Sequence, residues 1–192
     1  MRHVDPQSRD DGSAPSDAEL VTQVMRGERA AYAALVNRHQ ALIYRHASGM
    51  GLDHDTSLDL VQDAFVKAYM SLAECHDPAH FRAWVFRIGR NLCLDHLKNV
   101  RRMSVPMSQL SGIENIPDRD DRAEDIDRTL REALLQLPPV LREAFLLKHD
   151  AGYTYDEVAE LTNASPSAVK MRVHRAREAL RAFLIDQGVS AA

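Results

Sequence analysis

A row of basic side chains near the C-terminal end of the sequence has the composition of a nucleic-acid-binding surface. Between positions 166 and 181 there are five Lys or Arg residues and a single acid, Glu178. The bases are Lys170, Arg172, Arg175, Arg177 and Arg181. Ammonium and guanidinium groups neutralise phosphates and donate hydrogen bonds to base edges in the major groove. The row predicts DNA binding, with an ordinary solvated helix surface as the alternative.

The residues around this row predict a helix-turn-helix, which presents its second helix to the major groove. Thr154 and Glu157 form a capping box, which predicts that a helix begins at about position 155. Asn163 is suited to the left-handed conformation that ends such a helix. Ser165 then resembles a new N-cap, with Pro166 at the first helical position. The second helix has apolar residues at three- and four-residue spacing: Val169, Val173, Ala176 and Leu180.

A second basic segment, residues 81–102, also contains aromatic residues. Its bases are Arg82, Arg87, Arg90, Lys98, Arg101 and Arg102, and its one acid is Asp95. Phe81, Trp84 and Phe86 lie between them. Cations that follow phosphates and rings that stack on exposed bases suit single-stranded DNA. For Phe81 and Trp84 taken one by one, however, a place in the core is the favoured interpretation.

The preceding segment has acidic residues at regular spacing. Asp55, Asp59 and Asp63 recur every four residues, so a helix would project all three from one face. Like charges at this spacing repel each other slightly, which gives the helix no stability. The spacing predicts a surface for a basic partner protein, with a solubilising acidic face as the alternative.

Catalytic and metal-binding patterns have little support. Cys75, His76 and His80 form the one grouping that resembles metal ligands, but zinc usually takes four ligands at tighter paired spacings. If this group did bind, Cys75 would sense metal or redox state. Cys93 lies between leucines and is expected in the core. With no GxSxG, P-loop or HExxH motif, we expect no enzyme, no metal and no cofactor.

Helical periodicity dominates the sequence, and no segment alternates with a period of two, so we predict an all-α fold. The predicted helices cover about 18–36, 37–50, 56–72 and 80–102, and several segments after 126. The first of them has a break or bend near Gly27. Residues 103–125 are rich in Ser, Pro and Asp and predict a flexible linker. We therefore expect a disordered tail at 1–18, helical domains at 19–102 and 126–186, and a tail at 187–192.

Whole-chain properties set the wider limits. The 192 residues suit one ordinary domain or two small ones, and the net charge of −4 leaves nucleic-acid affinity to local clusters. The two cysteines form no CxxC pair, which favours a reducing compartment. No apolar run approaches the roughly 20 residues that cross a bilayer, and the N-terminus resembles no secretory signal. We expect a cytoplasmic protein without direct membrane insertion.

The order of these segments is similar to that in one protein family. The acidic segment 59–65, the basic aromatic segment 81–91, a linker and a C-terminal helix-turn-helix occur together in bacterial RNA polymerase sigma factors of the sigma-70 superfamily. The chain resembles the small extracytoplasmic-function (ECF) group, which keeps only regions 2 and 4. The resemblance covers about 19–102 and 126–185, and its specificity comes from the order and spacing of the motifs together.

The resemblance implies three sets of binding residues. Asp59, Gln62 and Asp63 correspond to positions that dock on the clamp helices of the core polymerase. The set implied for the −10 element is Arg82, Trp84, Arg87, Arg90 and Asn91. The set implied for the −35 element is Tyr155, Ser165, Ser167, Lys170, Met171, Arg172, His174 and Arg175, with Tyr155 and Arg172 on the DNA backbone. Met171 stands where small polar residues are common, so it is expected to contact a thymine methyl group.

The implied function is promoter-specific initiation: core RNA polymerase and promoter DNA are the expected partners, together with an anti-sigma factor, often a membrane-anchored one. Two alternatives stay open. A stand-alone helix-turn-helix regulator would bind duplex DNA without polymerase, but the acidic face speaks against it. A sigma-mimicking protein would sequester an anti-sigma factor without binding promoters, but the two basic segments speak against that.

Overall fold

The computed structural model describes residues 14–103 and 121–188, which form helices and no strand. The helices are α1 (Asp17–Met25), α2 (Arg29–Gly49), α3 (His54–Met70), α4 (Phe81–Met103), α5 (Asp121–Gln136), α6 (Pro139–His149), α7 (Tyr155–Thr162) and α8 (Pro166–Asp186). Two single 3-10 turns, Leu72–Glu74 and Pro78–His80, connect α3 to α4. The predicted all-α fold is confirmed for these ranges.

The N-terminal unit consists of α1 to α4, with α1 fixed to α2 by polar contacts. Ser16 begins α1 in a capping box with Glu19. Asp17 then accepts from Arg38 Nη1 at 2.5 Å and lies 2.8 Å from His39 Nε2. Because α1 has only nine residues, these contacts and its buried leucine and valines must hold it in place.

The predicted boundary between helices at positions 36 and 37 is wrong. A single helix, α2, runs from Arg29 to Gly49. Arg38 and His39, just after the predicted boundary, bind Asp17 without interrupting the helix. No Gly or Pro lies between Arg29 and Ser48, so nothing in the backbone ends the helix there. The expected break near Gly27 does occur, with this residue at φ 96° between α1 and α2.

Helix α4 passes close to α2 at Gly89. A Cβ atom there would lie 2.6 Å from Ile43 Cγ2, so only glycine allows this approach. Phe81, Val85 and Phe86 of α4 are fully buried in the same core. The interpretation of Phe81 as a core residue is therefore confirmed, while Trp84 is half-buried.

The C-terminal unit contains the helix-turn-helix with its caps as expected. Thr154 and Glu157 form the capping box of α7, and Asn163 ends that helix at φ 49°, ψ 50°. Ser165 caps α8 by accepting from the Ala168 amide at 3.2 Å, with Pro166 in the first turn. The apolar face of α8 is buried as predicted, through Val169, Val173, Ala176 and Leu180.

Several sequence-based expectations either concern residues outside the described ranges or differ from the structure. Residues 104–120 of the expected linker, residues 1–13 of the expected N-terminal tail and residues 189–192 of the C-terminal tail lie outside the described ranges. Residues 121–125, which we assigned to the linker, are helical and form the start of α5. Within the described ranges, none of the helices has the length and apolarity needed to span a membrane.

His46 of α2 is a buried polar group in this core. Neither of its ring nitrogens has a hydrogen-bond partner, and its ring lies 5.1 Å from that of Phe86. Burial, with a smaller effect of the Arg90 charge, lowers the pKa of His46 to about 3. The imidazole is therefore neutral in the folded protein at physiological pH.

This burial makes stability depend on pH. Above pH 6.5, the ordinary pKa of histidine, His46 is neutral in both the folded and the unfolded chain. As the pH falls below that value, only the unfolded chain takes up the proton, so the free energy of unfolding decreases by about 1.4 kcal/mol per pH unit. In urea unfolding, we expect the free energy of unfolding of the His46→Leu variant to fall less steeply between pH 7.5 and 5.5 than that of the wild type. Equal pH dependence in the two proteins would contradict this assignment, because every other histidine is common to both.

Candidate nucleic-acid and protein-binding surfaces

The acidic face of α3 is exposed beside an apolar groove. Asp59, Gln62 and Asp63 are all exposed, and neither aspartate has an ion-pair partner among the described residues. The groove, about 650 Å³, lies between α2 and α3, and Gln62 forms part of its wall. Its lining includes large apolar side chains that are partly exposed: Leu58, Val66, Tyr69 and Met70. Apolar area next to unpaired carboxylates is the composition of a protein-binding site.

The basic face of α4 is only partly open to solvent. Arg87 and Asn91 are exposed and line a cavity of about 560 Å³ together with Trp84. Arg82 is also exposed, although it donates from Nη2 to the Ala151 carbonyl at 2.6 Å. Arg90 is only 8% exposed and donates from Nε to Glu143 Oε1 at 2.8 Å. Of the residues expected on the −10 element, two therefore contact the C-terminal unit in this arrangement.

The outward face of α8 carries most of the residues expected on the −35 element. Exposed side chains on this face are Lys170, Met171, His174 and Arg175, and they lie opposite the buried apolar row. Met171 is 51% exposed, which leaves a large apolar side chain on an otherwise basic surface. A helix of 21 residues with an exposed basic face and a buried apolar face is suited to the major groove.

The start of the same surface is organised by hydroxyl groups and one aromatic ring. Ser165 and Ser167 lie with their Oγ atoms 3.0 Å apart at the beginning of α8. Tyr155 is half-buried, and its ring lies 4.8 Å from Lys148 Nζ and 5.8 Å from Lys170 Nζ. These cation–π contacts hold both ammonium groups near the same edge of the helix-turn-helix. Arg172 is half-buried.

The Cys75 segment does not form a metal-binding arrangement in the described part of the chain. No group of three His, Cys, Asp or Glu side chains there is placed to hold an ion. His80 Nδ1 is 2.8 Å from Asp77 Oδ2, and Cys75 is buried with its thiol directed to the Asp77 carbonyl at 3.6 Å. Burial raises the pKa of the Cys75 thiol, which disfavours the thiolate that binds metals and reacts with oxidants.

Comparison with known families divides the chain into two regions. The profile for Sigma-70 region 2 matches residues 35–103, and that for Sigma-70 region 4 matches residues 127–180. A relative, the RNA polymerase sigma-H factor of Pseudomonas aeruginosa, is 30% identical over 85% of this chain and 91% of its own length. The chain belongs to the sigma-70 family, in its ECF group. The ECF sigma factor SigE of Mycolicibacterium smegmatis is 32% identical over 96% of this chain and 75% of its own.

Two solved structures have a similar fold. CnrH, solved in complex with the cytosolic domain of CnrY, superposes with a TM-score of 0.67 at 29% identity, covering 90% of this chain and 99% of CnrH. RpoE of Bartonella quintana, solved with the anti-sigma factor NepR, gives a TM-score of 0.65 at 26% identity. The match covers 80% of this chain and 96% of the RpoE chain. The acidic face of α3 and the basic face of α4 thus lie in region 2 of this sigma factor, and the α8 surface in region 4.

The residues that pair with the basic face of region 2 could not be predicted from the sequence. Glu143 of α6 is 53 positions from Arg90, and the Ala151 carbonyl is 69 positions from Arg82. Periodicity relates residues that are three or four apart, so it carries no information on pairs this distant. An acid within an otherwise apolar helix face, as Glu143 is, was the only available signal.

Proposed function

We propose that this sigma factor binds core RNA polymerase through the acidic face of α3 and directs it to promoters through α4 and α8. The observation that carries the proposal is the coexistence, in one chain, of an exposed acidic face, unpaired within the described ranges, and an exposed basic helix-turn-helix. A DNA-binding regulator needs only the second of these surfaces. An adaptor between polymerase and promoter needs both.

The polymerase site combines charge with apolar area. Asp59 and Asp63 offer carboxylates to a basic partner, and the groove beside Gln62 offers a place for apolar side chains. Charges at a rim increase the rate and specificity of association, and buried apolar contacts supply most of the affinity. A polymerase helix with basic and apolar residues on one face would fit both features.

The promoter sites divide the reading of DNA between two regions. Arg87 and Asn91 of region 2 are placed to contact an exposed strand of the −10 element, beside the half-buried Trp84. In region 4, Lys170, Met171, His174 and Arg175 are placed to reach base edges of the −35 element. The sigma factor would not carry out chemistry, since the polymerase forms the phosphodiester bonds, and it would act in the cytoplasm with that enzyme.

An anti-sigma factor is the expected negative regulator. CnrH was solved with the cytosolic domain of CnrY, and the Bartonella RpoE was solved with the anti-sigma factor NepR. At 29% and 26% identity to those chains, this sigma factor has a fold that such a partner would fit. We propose that its partner covers region 2 and region 4 together.

Run-off transcription tests the function directly. Purified core polymerase from the same organism would be combined with this sigma factor and a library of its genomic promoters. We expect start sites that depend on the added protein. Binding to duplex DNA with no such start sites would favour a stand-alone regulator. Capture of an anti-sigma factor with neither promoter binding nor transcription would favour a sigma-mimicking protein, and either result would reject the proposal.

A further inference from the structure

Helix α1 lies against the segment that connects α3 to α4. This connecting segment, residues 71–80, contains the two 3-10 turns Leu72–Glu74 and Pro78–His80, and α1 contacts both turns as well as α2 and α4. The inner side of α1 is buried in these contacts through three apolar residues: Leu20, Val21 and Val24. The position of the connecting segment is therefore coupled to that of α1.

The connecting segment forms one wall of the cavity beside the residues expected on the −10 element. Half of its ten residues line this cavity: Glu74, Cys75, His76, Asp77 and His80. The region 2 residues that line it from α4 include Trp84, Arg87 and Asn91. The position of the connecting segment thus sets how much space these α4 side chains leave for a DNA base.

Hydrogen bonds give the connecting segment its local shape. Asp77 accepts from the Ala79 amide at 3.1 Å and lies 2.8 Å from His80 Nδ1, while Ser71 donates to the Lys67 carbonyl at 2.8 Å. In the described part of the chain, its hydrogen bonds all join residues of the segment itself or return to the last turn of α3. Such bonds do not fix the segment to the rest of region 2, so apolar packing, including that on α1, has to do so.

Asp17 holds α1 in place at a junction of three helices. It accepts from Arg38 Nη1 of α2 at 2.5 Å, and Arg38 Nη2 donates to the Pro15 carbonyl at 2.8 Å. His39 Nε2 of α2 lies 2.8 Å from the second carboxylate oxygen of Asp17. The ring of the buried His39 lies 5.7 Å from that of Phe81, the first residue of α4. Asp17 therefore pairs a buried polar group that would be costly to leave unsatisfied.

We propose that α1 positions the wall of the −10 cavity and that Asp17 is a positioning residue for reading the −10 element. Through Arg38 and His39, Asp17 holds α1 against the connecting segment, and α1 in turn holds this segment beside Trp84. Without these contacts α1 loses its place, because a helix of nine residues is only marginally stable by itself. The nature of the ligand rests on the proposed function, whereas the coupling of α1 to the cavity does not.

Fluorescence of Trp84 tests the coupling without polymerase or DNA. Trp84 is the single tryptophan of the chain and lines the cavity, so it reports on the position of the wall. We expect acrylamide to quench this fluorescence more strongly in Asp17→Ala than in the wild type. Acrylamide is neutral, so the change in charge does not itself alter the quenching. Equal quenching in the two proteins overturns the proposal.

Three further variants separate positioning from a general loss of stability. Asp17→Asn keeps an acceptor for Arg38 and a polar partner for His39, so it should restore wild-type quenching. Asp53→Ala removes a cap at the start of α3, where Asp53 accepts from the Thr56 amide at 2.8 Å, and should leave quenching unchanged. If Asp17→Ala loses helical content in circular dichroism, Arg38→Ala replaces it, because Arg38 is exposed and the His39 contact remains. Increased quenching in Asp53→Ala as well would overturn the proposal.

Competition binding of the holoenzyme tests the effect on promoter reading. The probes are promoters from the run-off assay with single substitutions in the −10 or the −35 element. The wild type should discriminate against a wrong base by about 5- to 150-fold, and Asp17→Ala should lose most of this factor at one −10 position. Its affinity for core polymerase and its discrimination at −35 should be unchanged. Unchanged −10 discrimination, or equal losses at both elements, overturns the proposal. Absence of any dependent start site rejects the proposed function instead, and the quenching result is independent of it.

Discussion

Replacing Asp59 and Asp63 together by lysine is expected to lower the affinity for core polymerase by about two orders of magnitude or more. Both side chains are exposed on α3 and have no ion-pair partner in the described part of the chain, so the folded state loses nothing by the change. Placing cations against a basic partner costs several kcal/mol, and about 2.8 kcal/mol corresponds to a hundredfold change in affinity. Fluorescence titration of labelled sigma factor with core polymerase, without DNA, measures this effect.

The matched control carries the same charge change elsewhere. Asp95 and Asp186 are exposed on α4 and α8, and Asp95 forms only a solvent-exposed pair with Lys98. Since exposed pairs contribute little stability, the double variant Asp95→Lys/Asp186→Lys should fold normally and bind core polymerase as the wild type does. Unchanged affinity in the α3 variant would reject this surface as the docking site. Equal losses in both double variants would show that overall charge, rather than the α3 face, controls binding.

Replacing Lys170 by alanine is expected to reduce −35-dependent promoter binding by about 5- to 150-fold, which corresponds to ~1–3 kcal/mol for a lost base contact. Its ammonium group is exposed on the outward face of α8, near the ring of Tyr155. The loss should be accompanied by weaker discrimination at one base pair of the −35 element. Competition binding of the holoenzyme to a promoter series with single −35 substitutions measures both effects.

Arg172→Ala and Arg177→Ala separate the possible roles of the bases on α8. Because we expect Arg172 to contact the DNA backbone, Arg172→Ala should weaken binding evenly across promoter sequences. It should also reduce by about 1 the slope of the logarithm of the binding constant against the logarithm of the salt concentration. Arg177 is an exposed base of the same helix outside the expected set, and its loss should have little effect. If Lys170→Ala behaves like Arg177→Ala, the assignment of Lys170 to a base edge is wrong.

Local sequence signals predicted the helix-turn-helix in detail because each of them acts over a few residues. The capping box at Thr154 and Glu157, the left-handed Asn163 and the cap at Ser165 all occur as expected. A cap depends on hydrogen bonds to amides two or three residues away, so the sequence contains the whole interaction. The boundary predicted between positions 36 and 37 was wrong, since α2 continues through it. Arg38 and His39, just after that point, bind Asp17 of another helix, and a local rule cannot include that contact.

The sequence by itself determined the helical class, the caps, the buried face of α8 and the family resemblance of this sigma factor. Only the tertiary structure decided which charged residues are free. It leaves Asp59 and Asp63 exposed beside an apolar groove, and it buries Arg90 against Glu143. The physical reason is that helix formation and capping depend on neighbours in the chain, whereas burial and ion pairing depend on neighbours in space. Residues 53 positions apart meet only after both regions have folded and packed together.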